Sequence, residues 1–269
     1  MQIVNHRLDV AQQRPSPHHG TVIVPKFIVI HYTAGGDAAG SAAALEQLGL
    51  SAHLILGRDG SFIQTVDLNL RAFHAGESEW MGFSDLNRHS IGIEVSNYGF
   101  LNPRPDGTFQ RPNETPVFQA DQVIVADHPN GWPKGFGWEI YPPAQIDALM
   151  AVCQEILRVY PGILDIVGHD QIAPKRKQDP GPAMPMGRLR HLIEASQTAA
   201  GAAGTIFEVT ARPSLNMRSG PGLQFPVTRV LPGGTKLHVV GQNGDWRAVD
   251  IEGDGQRDGF VHSAYLRVA

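Results

Sequence analysis

The sequence is poor in cysteine, with Cys153 alone among its 269 residues. One cysteine cannot form a disulfide within the chain, so folding does not depend on an oxidising compartment. Cys153 also lies in an apolar segment of helical periodicity, which favours a buried packing residue over a nucleophile. Hydrophobic residues make up 42% of the chain and charged residues 18%, a composition typical of packed globular domains.

The sequence also lacks an excess of positive charge and long apolar runs. Its formal net charge is -4 and it contains no basic repeat, which argues against a nucleic-acid partner. No window reaches the roughly 18 consecutive apolar residues of a membrane span. Residues 1–20 are polar and lack the apolar core of a signal peptide. We therefore expect a soluble protein that is synthesised in the cytoplasm, with no membrane span and no visible signal for the general export route.

The length suits one catalytic domain and a smaller module. Residues 196–205 are a run of small residues with nothing to bury, which is typical of a linker. We predict an α/β domain over residues 1–195, in which residues 1–20 form an N-terminal extension. Short β-type runs separated by turn residues predict a small all-β barrel over residues 206–269.

In the first domain, apolar runs alternate with helical periodicity, which predicts a mixed sheet flanked by helices. We predict a strand, a helix, a hairpin, a strand, a long helix, a strand and a last helix over residues 26–33, 38–48, 52–66, 91–96, 146–160, 163–169 and 187–195. Residues 97–141 are rich in Pro, Gly and Asn and too long for an ordinary connection. We interpret them as an inserted surface loop that can form one wall of a cleft.

Twelve histidines are too many for their presence alone to indicate a metal site. Two of them, His31 and His169, each end a predicted strand, where a rigid sheet can present ligands. Asp179 follows in a loop stiffened by prolines. Two imidazoles and a carboxylate would leave the fourth position of a tetrahedral zinc ion open for water, as in catalytic sites. The long separation of His31 from His169 leaves surface or packing roles open for these residues.

Five segments resemble, in order, the type-2 N-acetylmuramoyl-L-alanine amidases, which are zinc enzymes that cut the amide bond between N-acetylmuramic acid and L-alanine in peptidoglycan. They are IVIHYTAGG (28–36), SAHLILGRDGSFIQTV (51–66), AFHAG (72–76), SIGIEVSN (90–97) and GHDQIAPKRKQDPGP (168–182). The resemblance implies that His31, His169 and Asp179 are the ligands of a Zn²⁺ cofactor. It also implies that Glu94 and Lys177 occupy the catalytic positions and that muropeptides of peptidoglycan are the binding partner.

Glu94 also has a physical case for catalysis. It alternates with apolar residues of the strand 91–96, and a period of two places its carboxylate on the face opposite the core. We expect Gly92 to keep that face open. A carboxylate beside a metal site can accept a proton from an attacking water. The residues alone favour a solvated strand residue in a salt bridge, and it is the resemblance to the amidases that favours Glu94 as the general base.

Lys177 lies two residues before Asp179, so in an extended loop both side chains point to the same side. A fixed cation there stabilises the oxyanion that develops when water attacks an amide. No nucleophilic serine or cysteine is then needed. We assign the neighbouring Lys175 and Arg176 to the solvated surface.

Two further residues of the matched segments, His74 and Asn97, are predicted to contact substrate. His74 belongs to the AFHAG segment and Asn97 follows the strand of Glu94. We assign three other histidines to packing or the surface and two acidic residues to a solvated loop: His53, His89, His128, Glu77 and Glu79.

The C-terminal module resembles bacterial SH3-like domains. The matching segments are LNMRSGPG (215–222), LPGGTKLHVVG (231–241), DWRAV (245–249) and GFVHSAYL (259–266). Relatives of this kind often bind cell-wall peptides, so the module is expected to tether the enzyme to its insoluble substrate. We expect Trp246 to pack in the barrel and residues 250–258 to form a solvated hairpin.

Two alternatives to a wall-bound amidase follow from the same resemblance. One is a peptidoglycan recognition protein that binds muropeptides without cutting them, and the complete set of ligands and catalytic residues argues against it. The other is a cytoplasmic amidase that recycles soluble muropeptides, which gives the C-terminal module no role. The sequence pattern is equally typical of a bacteriolytic phage endolysin, a bacterial wall hydrolase and an exported toxin. It does not specify the stem-peptide type, the export route or the oligomeric state.

Overall fold

A computed structural model describes residues 1–111, 116–193, 206–253 and 257–269. The chain divides into two compact units, Met1–Ile193 and Glu194–Ala269. The linker predicted over residues 196–205 lies outside the described residues. The predicted fold classes are confirmed: the first unit has a mixed sheet with few helices, and the second is an antiparallel all-β unit. No helix in the described ranges is long and apolar enough to cross a bilayer.

The first unit contains short strands and three helices with assigned bounds. In chain order they are β1 (Ile3–Val4), β2 (Arg7–Leu8), β3 (Gln12–Gln13), β4 (His19–Val22), β5 (Phe27–Tyr32), α1 (Ala38–Gln47), β6 (Leu54–Leu56), β7 (Phe62–Gln64), β8 (Leu70–Ala72), β9 (Glu79–Trp80), β10 (Phe83–Ser84), β11 (Ser90–Val95), β12 (Phe100–Pro103), β13 (Phe109–Gln110), β14 (Val117–Phe118), β15 (Val123–Ala126), β16 (Phe136–Glu139), α2 (Pro143–Val159), β17 (Asp165–Gly168) and α3 (His169–Ile172). Residues 186–193 are also helical.

A six-stranded sheet forms the centre of this unit, in the order β17-β5-β11-β6-β7-β3. The neighbours from β17 to β6 are parallel, and β6 and β7 form the predicted antiparallel hairpin. All residues of β11 are buried, as is usual for a parallel strand covered on both faces. The carboxyl ends of β17, β5 and β11 therefore lie side by side at one edge.

Helix α2 covers one face of this sheet. Its apolar stripe, which includes Leu149, Cys153 and Ile156, packs in one core cluster with alternate strand residues such as Ile30 and Ile93. Cys153 is fully buried, and this burial raises the pKa of its thiol to about 12. The prediction that it is a packing residue is confirmed.

The interpretation of residues 97–141 as a surface loop is wrong. Strands β12 to β16 form an antiparallel sheet in the order β14-β13-β12-β16-β15, with a small core around Leu101 and Phe118. Its strands are only two to four residues long, so no hydrophobic period was visible among the turn residues. Gly137 contributes by its lack of a side chain, because a Cβ there would lie 2.5 Å from the ring of Phe109.

Residues 1–20, predicted as an N-terminal extension of the first domain, pack into the first unit. Ile3 and Leu8 are buried in the main core, and β3 is the edge strand of the central sheet. The Leu8 backbone N–H donates to Oε1 of Gln64 at 2.7 Å. These contacts join residues far apart in sequence, which explains why the polar composition of the segment did not reveal them.

The second unit is a seven-stranded antiparallel sheet in the order β20-β19-β23-β22-β21-β18-β24. Its strands are β18 (Ile206–Val209), β19 (Ser214–Arg218), β20 (Val227–Pro232), β21 (Lys236–Asn243), β22 (Trp246–Asp250), β23 (Gly259–His262) and β24 (Leu266–Val268). Leu215, Leu237 and Val249 are buried in its core. Trp246 is half-buried outside that cluster, with its ring 5.4 Å from that of His262. Of the predicted hairpin over residues 250–258, residues 254–256 lie outside the described ranges.

His53 makes the folding free energy sensitive to acid. Its ring is fully buried, Nδ1 accepts the backbone N–H of Gly92 at 2.9 Å, and Nε2 donates to the carbonyl of Leu70 at 2.8 Å. Burial lowers the pKa of this ring to about 4. Below pH 6.5 the unfolded chain therefore binds the proton that the folded chain excludes, and stability falls as the pH falls towards 4.

We expect the free energy of unfolding to fall by about 2 kcal/mol more in the wild type than in His53→Gln between pH 7 and pH 5. Glutamine can provide one donor and one acceptor without titrating. Urea titrations of both proteins at the two pH values measure this difference. Equal losses in the two proteins would show that another group causes the acid sensitivity.

Candidate active site

Three neighbouring parallel strands bring three polar side chains to one edge of the central sheet. In the strand register, His31 of β5 lies opposite Glu94 of β11, and Gly168 at the end of β17 lies opposite Ile30. His169 follows directly. The carboxyl edge of parallel strands is a common place for binding sites because loops diverge there. The pairing of these strands explains how His31 and His169, which are 138 positions apart in sequence, lie side by side.

The metal-ligand candidates converge on one point. Nδ1 of His31, Nδ1 of His169 and Oδ2 of Asp179 are each 2.9 Å from the other two atoms. The three residues are only 1%, 1% and 7% exposed. Tetrahedral zinc with bonds of about 2.0 Å has ligand atoms roughly 3.3 Å apart, so the spacing is close to that of such a set. The cluster could hold a metal ion.

The hydrogen bonds on the far side of each ring leave Nδ1 free to bind a metal. Nε2 of His169 donates to the carbonyl of Ala75 at 3.0 Å, and Nε2 of His31 lies 3.0 Å from Nδ1 of His74. Burial, reinforced by the charge of His169, lowers the pKa of His31 to about 4. The structure therefore favours a neutral His31 ring at neutral pH.

Asp179 provides the negative charge of the cluster. Burial by itself would raise the pKa of its carboxyl, but the contacts with His169 and His31 outweigh burial and hold that pKa far below the ordinary value. An ionised carboxylate at this depth needs a positive partner, which either protonated imidazoles or a bound cation can provide. This donor chemistry fits a divalent metal ion.

Glu94 is 8% exposed and lines the same cavity as the metal-ligand candidates. Its Oε2 atom has no hydrogen-bond partner among the described residues. Burial raises the pKa of Glu94 well above its ordinary value, and the charge of Asp179 adds to the rise while Lys177 opposes it. An unpaired buried carboxyl in a cavity costs folding free energy, so it is a candidate for chemistry.

The loop that carries Asp179 also carries Lys177 and Arg176. Lys177 is half-buried and lines the cavity, and Lys175 is exposed as predicted. The assignment of Arg176 to the solvated surface is incomplete, because its Nη2 donates to the carbonyls of Ala75 and Glu77, both at 2.7 Å. Arg176 thereby ties this loop to the segment that follows β8. The contact joins residues about a hundred positions apart, and no sequence signal indicates it.

The structure places the two predicted substrate-binding residues differently. The ring of His74 lies in the cavity lining and is 9% exposed. Gly92 does not leave its strand face open, because a Cβ there would lie 2.5 Å from Cγ of His74, whose ring fills that space. Asn97 is not among the described residues that line the cavity. It is 1% exposed, donates from Nδ2 to the carbonyl of Glu139 at 3.2 Å and accepts the N–H of Gly99 at 2.8 Å.

The remaining assignments agree with the structure. His53 and His128 are buried, His89 is half-buried with its ring 5.1 Å from that of Phe83, and Glu77 and Glu79 are exposed. His128 has a role that the sequence did not reveal, since its Nε2 lies 3.1 Å from the carbonyl of Gln178 and so supports the loop of Asp179.

A cavity of about 490 Å³ joins the buried cluster to solvent. Helix α1 forms one side, where Leu45 and Leu48 lie with Leu50 and Phe73, and residues 33–37 form a rim. The cavity therefore has a polar end at the strand edge and an apolar end. This shape suits a ligand with one polar reacting group and an adjoining apolar surface.

The rim is braced from outside the cavity. Arg58 donates from Nε to the carbonyl of Gly36 at 2.9 Å, and Arg111 donates to the carbonyl of Ala34. Glu139 of β16 in turn accepts from both terminal nitrogens of Arg58. None of the described residues of 97–141 lines the cavity, and the sheet that they form supports the rim from outside.

Comparisons with known proteins agree with this site. A family profile described as N-acetylmuramoyl-L-alanine amidase matches residues 21–182, and one described as bacterial SH3 domain matches residues 213–267. The 1,6-anhydro-N-acetylmuramyl-L-alanine amidase AmpD of Enterobacter cloacae is 31% identical over 219 residues, which cover 73% of this chain and 97% of the relative. The first profile match contains the metal-ligand candidates and Glu94.

Two further comparisons extend the match. The N-acetylmuramoyl-L-alanine amidase AmiD of Escherichia coli strain K12 is 32% identical over 176 residues, which cover 61% of this chain and 51% of that protein. A crystal structure of a selenomethionine derivative of AmpD superposes with a TM-score of 0.51 at 27% identity, covering 72% of this chain and 99% of the other. The fold of the first unit is therefore shared with a solved relative.

Proposed function

Because the chain belongs to the N-acetylmuramoyl-L-alanine amidase family, whose profile matches residues 21–182, we propose that it is a zinc enzyme that hydrolyses the amide bond between N-acetylmuramic acid and L-alanine. The observation that carries the proposal is the convergence of two Nδ1 atoms and a carboxylate oxygen, 2.9 Å apart, in the cavity that Glu94 also lines. His31, His169 and Asp179 are the proposed ligands.

Two imidazoles and one carboxylate form a donor set that zinc accepts in hydrolases, with one position left for water or substrate. Bound zinc would polarise the scissile carbonyl and lower the pKa of a bound water from about 15.7 to about 7. Neutral His31 and ionised Asp179 together match the charge requirement of a divalent cation.

Glu94 is the proposed general base. Its unpaired Oε2 accepts the proton of the attacking water and later delivers it to the L-alanine nitrogen as the amide bond breaks. A pKa raised by burial suits this role, because the carboxyl must hold a proton during the reaction. The ammonium group of Lys177, in the lining of the same cavity, stabilises the negative charge that develops on the lactyl carbonyl oxygen.

Two roles are compatible with this reaction, and each has its own support. The match to a bacterial SH3 domain over residues 213–267 favours an enzyme held on the intact wall, where tethering raises the effective concentration. The similarity to AmpD, a 1,6-anhydro-N-acetylmuramyl-L-alanine amidase, favours soluble anhydro-muropeptides as the substrate, as in recycling. We propose the wall-bound role, with the second unit as the wall-binding module and the wall as the place of action. A bacteriolytic endolysin is one specific form of this role.

The reaction and the role are tested together with the full chain. It is incubated with purified sacculi and, separately, with a soluble 1,6-anhydro-muropeptide, and released stem peptides are quantified by mass spectrometry. We expect the zinc-loaded protein to release peptides that begin with L-alanine, faster from sacculi at equal bond concentration, and to co-sediment with sacculi. Faster cleavage of the soluble substrate without co-sedimentation would favour the recycling role. Binding of sacculi without any cleavage would instead indicate a recognition protein.

A further inference from the structure

The proposed ligand His31 is connected to a short chain of buried polar side chains on the side away from the metal-facing atom. Nε2 of His31 lies 3.0 Å from Nδ1 of His74, and Nε2 of His74 lies 3.3 Å from Oγ of Ser90. Ser90 donates its hydroxyl to the carbonyl of Leu86 at 2.6 Å. These contacts form a single line from the metal-ligand cluster into the protein.

The last member of the line sets the direction of every hydrogen bond. A carbonyl can only accept, so the Ser90 hydroxyl hydrogen points to Leu86 and its oxygen accepts the Nε2–H of His74. Nδ1 of His74 is then unprotonated and accepts the Nε2–H of His31. The Nδ1 atom of His31 is thereby left with its lone pair free. This line of hydrogen bonds therefore fixes His31 in the tautomer whose Nδ1 can bind a metal.

The next residue along the backbone orients the second imidazole. The carbonyl of Ala75 accepts the Nε2–H of His169 at 3.0 Å. The N–H groups of His74 and Ala75 both donate to Oδ1 of Asn87, at 2.9 and 2.8 Å. One dipeptide, held by one asparagine, therefore contacts both proposed histidine ligands.

The environment of this dipeptide keeps it in one position. His74, Ser90 and Asn87 are 9%, 0% and 7% exposed, so water has little access to these hydrogen bonds. The His74 ring lies against Gly92, where a Cβ would come within 2.5 Å of the ring. Glycine at this position makes the close approach possible.

We propose that His74 and Ala75 form a positioning element that fixes the tautomer and orientation of both imidazoles, and that His74 acts through His31 and does not determine substrate affinity. The inference rests on the proposed function for the identity of the ligands. It replaces the expectation from the sequence that His74 contacts substrate. Ser90 and Asn87 act one step further from the metal.

The proposal is tested by metal affinity measured without substrate. Zinc affinity of the full chain is determined by competition with a chromogenic chelator for the wild type, His74→Phe, His74→Gln and Ser90→Ala. Removal of a side chain that hydrogen-bonds to a metal ligand typically lowers the metal affinity 10- to 100-fold. We expect a loss in that range for His74→Phe and a smaller loss for Ser90→Ala. His74→Gln should retain more affinity than His74→Phe, because its amide oxygen can accept the Nε2–H of His31.

Kinetics at saturating zinc distinguish a positioning role of His74 from a direct contact with substrate. A positioning residue predicts weaker zinc binding with a KM within about twofold of the wild type, whereas a substrate-contacting residue predicts unchanged zinc affinity and a raised KM. The control is Ser41→Ala, since Ser41 lines the cavity and donates to the carbonyl of Asp37 and not to a histidine. Zinc affinity should be unchanged in this control.

Wild-type zinc affinity in all three variants, with a raised KM for His74→Phe, would overturn the positioning role and leave the amidase proposal standing. Failure of the wild type itself to bind zinc would overturn the proposed function and this inference with it. Ser90→Ala removes one hydroxyl and keeps the His74 ring in place, so it gives a result even where His74→Phe does not fold.

Discussion

Glutamine in place of Glu94 is expected to lower kcat on a muropeptide by about 10²- to 10⁴-fold, which is the usual contribution of a positioned general base. The substitution keeps the shape of the side chain and removes the group that accepts a proton. The carboxyl of Glu94 is buried and its Oε2 has no partner among the described residues, so the substitution should not weaken folding. The measurement is kcat for release of the stem peptide, together with the thermal midpoint.

Two comparisons make this result specific. The zinc content of Glu94→Gln should equal that of the wild type, because Glu94 is not among the clustered ligand atoms. Glu77→Gln is the matched control, since Glu77 is an exposed glutamate after β8, and it should keep full activity. Retention of more than half of the activity in Glu94→Gln would remove Glu94 from the mechanism.

Removal of the Asp179 carboxylate is expected to abolish tight zinc binding and to lower activity by about 10³-fold or more. The metal contributes several kcal/mol of transition-state stabilisation, and each 1.36 kcal/mol corresponds to a factor of ten. Asp179 carries the negative charge of the cluster, so in Asp179→Ala a divalent ion would meet two neutral imidazoles alone. Zinc per chain, measured by elemental mass spectrometry after dialysis, should fall from one to near zero.

The control for this variant is Asp147→Ala, which removes an exposed aspartate from α2. It should keep both its zinc and its activity. Chelation of the wild type should reproduce the loss of activity, and added zinc should restore it. Full activity of Asp179→Ala after exhaustive dialysis would show that the buried cluster is not the catalytic metal site.

Local patterns predicted helix α2 and five of the six strands of the central sheet, all except the edge strand β3. The β-branched run of β5, the alternation in β11 and the helical stripe of α2 are each encoded within a few residues. His31 and His169 could be selected because each ends such a strand. Their approach to within 2.9 Å depends on β17 pairing with β5, which the spacing in the chain does not encode.

The features that the sequence did not reveal are non-local or irregular. The sheet over residues 97–141 consists of strands too short to show a period, and residues 1–20 are ordered by contacts with β7 and α2. Arg176 resembled its basic neighbours although its guanidinium binds two distant carbonyls. The contact of His74 with His31 depends on the glycine at position 92 of a neighbouring strand, so the short segment around His74 could not indicate it.

In the proposed reaction, water provides the new oxygen of the lactyl carboxylate, and Glu94 acts as a base and not as a nucleophile. A single turnover of a defined muropeptide by excess zinc-loaded enzyme in H₂¹⁸O, analysed by mass spectrometry, tests it most directly. Attack by water at this carbonyl predicts one ¹⁸O atom in the lactyl carboxylate of N-acetylmuramic acid and an unlabelled stem peptide that begins with L-alanine. Label in the stem peptide, or an unlabelled lactyl carboxylate after the first turnover, would contradict it, because the first places the cut at another bond and the second requires an oxygen from the enzyme.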